Sequence, residues 1–138
     1  MLERSFDIAR INEVVNHPAV RPFVGPGDEF ADATVLVEND KNWFLMGEHG
    51  GFCLEWKTPD MHEVHTFILP EGRGEWARDA AKAGIAFAVK NGDKYLCTLI
   101  PPGQRNVAAY ARSMGMRPTG EETEMLGTRY QNFKMEIG

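Results

Sequence analysis

The stretch from Glu63 to Gly74 constrains the fold more than any other part of the chain, because a strand-like run leads through a glycine turn into a long apolar helix. Residues Val64 to Leu69 are mostly apolar or β-branched, which is typical of a buried strand. Pro70 ends the strand because it has no amide hydrogen, and Gly72 and Gly74 allow a sharp turn. The first amides of the following helix are unpaired at the positive end of its dipole, so the turn is predicted to bind an anion.

The size and charge of the chain exclude several classes of protein. A chain of 138 residues predicts one domain, 1–138, that buries roughly two thirds of its unfolded surface. The net charge of −5 comes from interspersed acidic and basic residues, so no nucleic-acid partner is expected. There is no run of about 18 apolar residues, and Glu3, Arg4 and Asp7 occupy the N-terminus instead of the apolar segment of a signal peptide. We therefore expect a soluble, cytoplasmic protein with no membrane partner.

Hydrophobic periodicity and turn residues divide the chain into helices and strands. The predicted helices are Asp7–Asn16, Gly74–Asn91 and Gln104–Met114. The predicted strands are Thr34–Glu38, Trp43–Gly47, Gly51–Lys57, Glu63–Leu69, Tyr95–Ile100 and Tyr130–Ile137. Turns at Asn39-Asp40 and His49-Gly50 would join the first three strands in an antiparallel meander. The segments Pro18–Asp32 and Gly115–Tyr130 are predicted to be loops.

The direction of the central strands follows from their connection. Because a long helix joins Glu63–Leu69 to Tyr95–Ile100, these two strands are predicted to be parallel neighbours. The fold class is therefore α+β, with a mixed central sheet that combines an antiparallel meander and a β-α-β parallel step and is flanked by helices. The apolar stripe of the connecting helix, which starts at Trp76, is expected to be mostly buried.

Few side chains are candidates for acid–base or metal chemistry. Glu63 and His65 are two residues apart on one strand and point to one face, whereas His62 points to the other. A carboxylate beside an imidazole can act as a general base, and a solvated cross-strand pair is the alternative. No group of histidines and cysteines has the spacing of a metal site. Cys53 and Cys97 are isolated and are interpreted as small core residues.

The strand–turn–helix and the segment Asn106–Met116 together resemble the signature of the GNAT (Gcn5-related N-acetyltransferase) superfamily. The resemblance covers the second half of the chain and, more loosely, the first. It implies the GNAT fold, in which two central parallel strands separate into a V-shaped cleft. It also implies that acetyl-CoA binds in the cleft, with its pantetheine arm along the backbone of Phe67, Ile68 and Leu69 and its pyrophosphate at the turn Arg73–Arg78.

The phosphate turn departs from the family pattern Q/R-x-x-G-x-G/A in several side chains. Its residues are Arg73, Gly74, Glu75, Trp76, Ala77 and Arg78. Trp76 and Arg78 stand where small residues let backbone amides approach phosphate oxygens, and Glu75 carries the same charge as a phosphate. Arg73 and Arg78 would compensate through charge-assisted hydrogen bonds. In the alternative interpretation the glycines form only a tight turn and Trp76 belongs to the core.

The second family motif is a helix that begins with asparagine and has a tyrosine before a Gly-Phe pair. Counting back from Gly115-Met116 places Gln104 at the asparagine position and Ala111 at the tyrosine position. Tyr110 lies about 100° around the helix from Ala111, and a shift of the helix would give Tyr110 and Asn106 the two roles. The resemblance implies that the tyrosine protonates the departing CoA thiolate. In the alternative, Tyr110 packs at the sheet edge.

Two functions from different classes follow. In the first, the protein is an acetyl-CoA-dependent N-acetyltransferase that acts on a small-molecule or protein amine, with Glu63 and His65 as the base and Tyr110 as the acid. In the second, it keeps the fold without catalysis and serves as an interaction or assembly protein. The segments His17–Gly25 and Ile68–Gly74 resemble those of small GNAT-like proteins encoded by bacteriophages, some of which are virion proteins. That resemblance implies phage structural proteins as partners.

Overall fold

The computed structural model describes residues 2–138, and over this range the chain forms a seven-stranded sheet with helices on both faces. The strands are β1 (Glu3–Arg4), β2 (Trp43–Gly47), β3 (Gly50–Thr58), β4 (Met61–Ile68), β5 (Tyr95–Ile100), β6 (Arg117–Met125) and β7 (Thr128–Glu136). The helices are α1 (Ile8–Val15), α2 (Thr34–Glu38), α3 (Glu75–Lys90) and α4 (Arg105–Ser113). Short 3₁₀ turns lie at Arg21–Phe23 and Pro70–Gly72.

The sheet is mixed, and one central pair of strands sets its geometry. Its strand order is β1-β2-β3-β4-β5-β7-β6. Strands β4 and β5 are parallel, and each of the other neighbouring pairs is antiparallel. The predicted parallel step, with α3 as the connecting helix, is therefore confirmed. The α+β fold class is confirmed as well.

The antiparallel meander consists of β2, β3 and β4. The predicted strand Trp43–Gly47 is confirmed, and it pairs with β3 through the turn at His49-Gly50. At Gly50 the backbone has a φ of 106°, and an added Cβ would collide with the carbonyl oxygen of Phe67. Only glycine fits at this position, because a side chain would both strain the backbone and separate β3 from β4.

The two faces of the sheet form separate cores, because side chains alternate along each strand. The core under α3 and α4 contains Leu45, Phe52, Leu54, Ile68, Leu96, Ile100 and Phe133. The core under α1 and α2 contains Phe44, Met46, Cys53 and Phe67. The alternation places Phe52 and Leu54 under one helical layer and Cys53 under the other. Among residues 2–138 the longest helix is α3, with 16 residues, and none of the helices combines the length and hydropathy that a bilayer span requires.

Helix α3 agrees with the predicted helix to within one residue at each end, because Gly74 is its N-cap and Asn91 its C-cap. Its buried residues are Ala77, Ala80, Ala81, Gly84 and Ala88. Trp76 is partly buried against the same core, as expected for the start of the apolar stripe. Val89 is 42% exposed and therefore lies outside the stripe.

The predicted strand Thr34–Glu38 is wrong, because these residues form α2. The β-branched side chains of the segment favour a strand. Asp32, however, accepts hydrogen bonds from the amide of Thr34 at 3.0 Å and from its hydroxyl at 2.6 Å, which start a helical turn. Val37 then packs at 6% exposure in the core under α1 and α2. Consequently, Asn39-Asp40 joins a helix to β2 and does not form a hairpin turn.

The sequence patterns do not predict β1 or β6. Strand β6 lies inside the predicted loop Gly115–Tyr130 and pairs with β7, which begins at Thr128, two residues before the predicted strand. The register of β6 shifts between Pro118 and Glu122, and nearly all of its residues are exposed. Exposure on both faces removes the alternation of apolar and polar residues that marks a strand, and Pro118 and Gly120 indicate a loop.

Candidate functional site

The parallel strands β4 and β5 separate soon after their first residues. The paired residues are Met61–Glu63 and Tyr95–Cys97, and beyond them the hydroxyl of Thr98 donates to the carbonyl of Val64 at 2.9 Å. After this contact the two backbone edges face each other without ladder pairs. We call this opening the gap. It is a candidate binding site because unpaired amides and carbonyls need a partner.

The direction of the backbone amide and carbonyl groups decides which residues of β4 can bind a ligand in the gap. Backbone groups of successive residues point to opposite edges of a strand, so Thr66 and Ile68 share the edge of Val64. Phe67 pairs with β3, and the amide of Leu69 donates to a carbonyl of the β2–β3 turn at 2.9 Å. Of the three residues predicted to bind pantetheine, Ile68 therefore faces the gap, while Phe67 and Leu69 direct their backbone groups toward β3.

An apolar cavity of about 80 Å³ adjoins the gap on the side of α3 and α4. Its strand residues include Val64, Thr66, Thr98 and Ile100, and its helix residues include Ala81, Gly84, Tyr110 and Ala111. The Thr98 hydroxyl is engaged by the carbonyl of Val64, and aliphatic, aromatic and methionine side chains complete the lining. The cavity is therefore an apolar space that continues from the gap.

Tyr110 forms part of the cavity wall where α4 faces α3. Its hydroxyl donates to the carbonyl of Ala77 at 3.2 Å. Burial raises the pKa of Tyr110, and the positive charge of Arg78 opposes that shift. The hydroxyl is therefore protonated at neutral pH, which is the state that a general acid requires. The structure thus places the predicted acid beside the gap.

The first turn of α3 comes after the end of β4 and the short 3₁₀ turn Pro70–Gly72. Its N-cap, Gly74, has φ 100° and ψ −126°, and no side chain caps the helix. The amide of Arg78 donates to the carbonyl of Gly74 at 3.1 Å, so the amides of Glu75, Trp76 and Ala77 precede the helical ladder and have no partner within it. A Cβ at Gly74 would meet no atom within 4 Å. The open turn with free amides can therefore bind an anion.

The large side chains of this turn point in different directions. Trp76 packs against His49 of the β2–β3 turn, with ring centroids 5.1 Å apart. The Arg73 guanidinium donates to the carbonyl of Ala19 at 2.8 Å and so ties the turn to the segment after α1. Arg78 is exposed. Arg78 can therefore reach an anion at the turn directly, whereas Arg73 would first leave the carbonyl of Ala19.

Gln104 and Asn106 lie at the start of α4. Gln104 is the N-cap of the helix and makes no capping hydrogen bond through its side chain, and Asn106 is exposed in the first turn. Strands β4 and β5 are parallel, so the start of α4 after β5 lies at the same end of the sheet as the start of α3 after β4. These two residues therefore lie at the mouth of the gap, while Tyr110 lies further along the cavity.

A charged cluster lies on the other face of the sheet, beside the point where β4 and β5 separate. It consists of Glu55, Lys57, Glu63 and His65, and Glu55 is directly opposite Glu63 in the pairing of β3 with β4. Nε2 of His65 lies 2.9 Å from Oε1 of Glu55 and 3.3 Å from Oε2 of Glu63. Nζ of Lys57 lies 3.4 Å from Oε1 of Glu63 and 3.6 Å from Oε1 of Glu55. The structure thus brings the predicted base residues together with two residues of β3 that the sequence did not indicate.

The contacts within the charged cluster set the charge states of two of its residues, Glu55 and Lys57. The hydrogen bond from His65 lowers the pKa of Glu55, although burial acts in the opposite direction. Burial favours the neutral amine of Lys57, but Glu63 and Glu55 outweigh it and raise the pKa of Lys57. Glu55 is therefore negative and Lys57 positive at neutral pH. Although Glu55, Glu63 and His65 place ligand atoms within 4.8 Å of one another, the Lys57 ammonium contacts both carboxylates, so the cluster is an ion-pair network.

Cys97 lies opposite Glu63 where the two parallel strands are still paired. Burial, followed by the charge of Glu63, raises the pKa of Cys97 to about 11. The thiol lies 3.7 Å from the carbonyl of His62, to which it donates. A protonated thiol is a poor nucleophile, which supports its interpretation as a structural residue.

A second polar pair, His62 and Asp93, is buried on the face of the sheet that α3 and α4 cover, with 2% exposure for each residue. Nδ1 of His62 lies 2.8 Å from Oδ2 of Asp93, and Nε2 lies 2.8 Å from the carbonyl oxygen of Lys41. The imidazole also stacks on Trp43, with ring centroids 3.9 Å apart. These contacts fill the hydrogen-bonding capacity of the ring, so the pair stabilises the structure and is closed to substrate.

Comparison with known proteins identifies the fold. A scan against protein-family models found no match, and a search of curated proteins found none of significant similarity. The structure of yncA from Salmonella typhimurium with its cofactor acetyl-CoA has a TM-score of 0.76 and 15% identity, covering 100% of this chain and 94% of that chain. Ribosomal-protein-alanine N-acetyltransferase from Brucella melitensis has a TM-score of 0.78 and 15% identity, covering 99% of each chain.

A third structure names the fold family. The GNAT superfamily phosphinothricin acetyltransferase from Sinorhizobium meliloti, in complex with acetyl-CoA, has a TM-score of 0.73 and 11% identity, covering 100% of this chain and 88% of that chain. Together with the mixed sheet and its parallel β4–β5 pair, these similarities show that the chain has the GNAT fold. The fold implied by the strand–turn–helix is therefore confirmed.

Proposed function

We propose that this protein is an N-acetyltransferase that transfers the acetyl group of acetyl-CoA to an amine. The observation that carries the proposal is the gap. Its unpaired β4 edge lies between the open first turn of α3 and the residues Glu63 and His65 on the same strand. Two of the similar structures contain acetyl-CoA, which supports the same donor here. The acceptor is a small-molecule or protein amine.

The residues around the gap match the chemical parts of acetyl-CoA. The free amides at the start of α3 and the guanidinium of Arg78 would hold the pyrophosphate, with Arg73 as a second cation. The backbone groups of Thr66 and Ile68 would pair with the amides of the pantetheine arm. Gln104 and Asn106 would border the mouth of the gap from α4. When bound, acetyl-CoA would supply the acetyl group as a thioester, which is activated for acyl transfer.

The charged cluster supplies the base. Glu63 is 8% exposed and contacts His65, so its carboxylate can accept a proton from an amine beside the gap. In the transfer, the amine nitrogen forms a bond to the carbonyl carbon and the carbon–sulfur bond breaks. The proton of the amine goes to Glu63, and the sulfur leaves with the bonding electron pair. The protonated hydroxyl of Tyr110 is the proton donor for that sulfur.

The charge of the cluster indicates a cationic acceptor. The ammonium of Lys57 lies 3.4 Å from Glu63 and 3.6 Å from Glu55, which demonstrates that an ammonium group fits between these carboxylates. Lys57 is more than one third exposed, so its flexible side chain can leave the cluster. An amine that arrives as an ammonium ion would then take its place beside the proposed base. It would release one proton to solvent to become the nucleophilic amine, and its next proton would pass to Glu63 during the transfer.

A non-catalytic role as a bacteriophage assembly protein is the second candidate. Contacts within the chain favour the absence of catalysis, because both oxygens of Glu63 are engaged by Lys57 and His65, and the hydroxyl of Tyr110 is engaged by Ala77. In that role the partners would be phage structural proteins, and the protein would reside in the host cytoplasm or in the virion.

Calorimetric titration with acetyl-CoA separates the two candidates. For the transferase we expect binding, and we expect the double variant Arg73→Ala/Arg78→Ala to weaken it more than tenfold, because each charged hydrogen bond contributes about 1.5–3 kcal/mol. Arg129→Ala, an exposed arginine of β7, is the control and should bind as the wild type does. If millimolar acetyl-CoA gives no binding, the transferase proposal is overturned and the assembly role is favoured.

An acetyl-transfer assay over a panel of primary amines tests the chemistry. We expect Glu63→Gln to bind acetyl-CoA normally and to lose about 10²-fold in turnover, because it keeps the shape of the side chain but cannot accept the proton. Glu124→Gln, at an exposed position of β6, is the matched control. Equal turnover in the two variants would remove Glu63 from the mechanism.

A further inference from the structure

The apolar cavity beside the gap is larger than an acetyl group needs. Protein interiors are close-packed, so an unfilled space in a core calls for an explanation. Its two threonines and Tyr110 are the polar residues of the lining, and the hydroxyls of Thr98 and Tyr110 already donate to backbone carbonyls. A cavity of this kind stays free of water and accepts an apolar group.

Gly84 is an independent sign that the space is kept open. It lies in the middle of α3 and lines the cavity, although glycine destabilises a helix interior relative to alanine. A Cβ at this position would lie 3.7 Å from Phe52 and 3.9 Å from Leu45, which is ordinary contact. Packing against these residues therefore does not require glycine. The missing side chain instead leaves room in the cavity.

The size of the cavity sets the size of its occupant. An apolar protein cavity of about 150 Å³ holds a ring of six carbons. The cavity of about 80 Å³ therefore corresponds to about three carbons. A butanoyl group has three carbons beyond its carbonyl, whereas an acetyl group has one.

The position of the cavity relates it to the proposed reaction. The cavity reaches the gap through Val64 and Thr98, at the point where β4 and β5 separate. Glu63, one residue before Val64, points to the opposite face of the sheet. A thioester carbonyl in the gap would thus have the amine and the base on one face and space for its acyl chain on the other.

We propose that the cavity binds the acyl chain of the donor, and that the preferred donor is a short-chain acyl-CoA near butanoyl-CoA. This inference rests on the acyl-transfer chemistry of the proposed function and extends its donor from acetyl-CoA to a longer acyl-CoA. The bonds exchanged are the same as for acetyl transfer, with the carbon–nitrogen bond formed and the carbon–sulfur bond broken. Only the group carried by the carbonyl carbon changes.

Calorimetric titration of the wild-type chain with CoA and with acetyl-, propanoyl-, butanoyl- and octanoyl-CoA tests the inference. Each buried methylene group strengthens binding about fourfold, so butanoyl-CoA should bind about 15-fold more tightly than acetyl-CoA. Octanoyl-CoA should lose this gain because its chain exceeds the cavity. If affinity is equal or falls from acetyl to butanoyl while CoA itself binds, the inference is overturned and the proposed function stands. If neither CoA nor its thioesters bind, the proposed function fails.

A variant of Gly84 locates the effect. Gly84→Leu fills the cavity and should abolish the difference between butanoyl- and acetyl-CoA while CoA affinity remains within about twofold. Val89→Leu, on the exposed side of the same helix, should keep the full difference. The milder variant Gly84→Ala should raise the melting temperature and reduce the difference in part. If filling the cavity weakens CoA and its thioesters equally, the space belongs to the pantetheine arm and the acyl inference is wrong.

Discussion

At the scale of single residues, the hydroxyl of Tyr110 connects stability with the proposed chemistry. It donates to the carbonyl of Ala77 and lies beside the gap. Tyr110→Phe should lower turnover about 10²-fold with little change in acetyl-CoA affinity, because the proton matters only as charge develops on sulfur. It should also cost about 1 kcal/mol of the free energy of unfolding, since one hydrogen bond is lost. Steady-state kinetics and urea unfolding measure the two effects separately.

A comparison of variants distinguishes the acid from a structural tyrosine. Tyr95→Phe changes another partly buried tyrosine, on β5, and should leave turnover within about twofold. If Tyr110→Phe loses stability but keeps full turnover, its hydroxyl only joins α4 to α3.

The His62–Asp93 pair predicts how stability depends on pH. The Lys41 carbonyl can only accept, so Nε2 of His62 carries a proton, and Nδ1 shares a further proton with the carboxylate of Asp93. Burial raises the pKa of Asp93, and its hydrogen bond and attraction to His62 limit the shift. An acid with a raised pKa stabilises the fold below its unfolded pKa, and this contribution is lost as the pH rises through its folded pKa.

Removing the imidazole of His62 should enlarge the loss of stability that accompanies a rise in pH. We expect His62→Phe to reduce the free energy of unfolding by about 3 kcal/mol at pH 7, because a buried carboxylate is left without its partner. The reduction should be smaller at pH 4, because the raised pKa of Asp93 favours its neutral form as the pH falls. Urea unfolding at the two pH values measures it, and the double variant His62→Phe/Asp93→Asn should recover part of the stability. An equal loss at both pH values would contradict this account of the pair.

The residues of the charged cluster show how far the sequence predicts a site. The two-residue repeat of a strand suffices to place Glu63 and His65 on one face. Glu55 and Lys57 could not be assigned to them, because the register of β3 against β4 shifts between Trp56 and Thr58 just before the turn. A shift of one residue would move Glu55 to the opposite face.

At the scale of elements, agreement with the sequence follows the strength of local signals. Helix α3 has a glycine at each end, at Gly74 and Gly92, and a long apolar stripe, so its limits are predictable. Helix α2 has five residues, of which three are β-branched, and depends on Asp32 and on packing, which a local pattern does not contain. Strand β6 is defined by its partner β7, because its own residues are exposed.

The glycines at the two ends of α3 provide a matched test of the anion site. Gly74 and Gly92 both have φ 100°, and a Cβ at either would meet no atom within 4 Å. Each change to alanine should therefore cost about 1–2 kcal/mol of stability through backbone strain alone. Gly74→Ala should in addition weaken acetyl-CoA binding, because it disturbs the free amides of the first turn. Calorimetry and urea unfolding compare the two variants, and equal affinities would place the phosphates elsewhere.

At the scale of the whole molecule, the seven strands form one sheet whose hydrogen-bond ladder is interrupted between its central strands β4 and β5. The parallel step was predictable because it follows from the order of strands and helices. The predicted meander was correct only for the pair Trp43–Gly47 and Gly51–Lys57, because Thr34–Glu38 is helical and its place is taken by β4. The length of the gap was not predictable, since β4 and β5 stop pairing at Glu63 and Cys97 without a change of local pattern. Long-range geometry of this kind depends on the twist and packing of the complete sheet.

Amide exchange measured by NMR tests the gap directly. In the unliganded protein the amides of Thr66 and Ile68 should exchange at least about tenfold faster than those of His65 and Phe67, which face β3. Acetyl-CoA should slow Thr66 and Ile68 and leave His65 and Phe67 unchanged. Uniform protection along β4 before ligand is added would mean that the gap is closed in solution.

The exposed edge strand β6 has a consequence for how the protein behaves at high concentration. An unpaired strand edge can act as a template for other chains, and charges, prolines and bulges are the usual protection against this. Strand β6 contains Glu121, Glu122 and Glu124, together with Pro118 and an irregular register. Mutual repulsion between these acidic edges should oppose edge-to-edge pairing of copies. Loss of this negative charge would remove the barrier, so colloidal stability would then fall while the native fold is still intact.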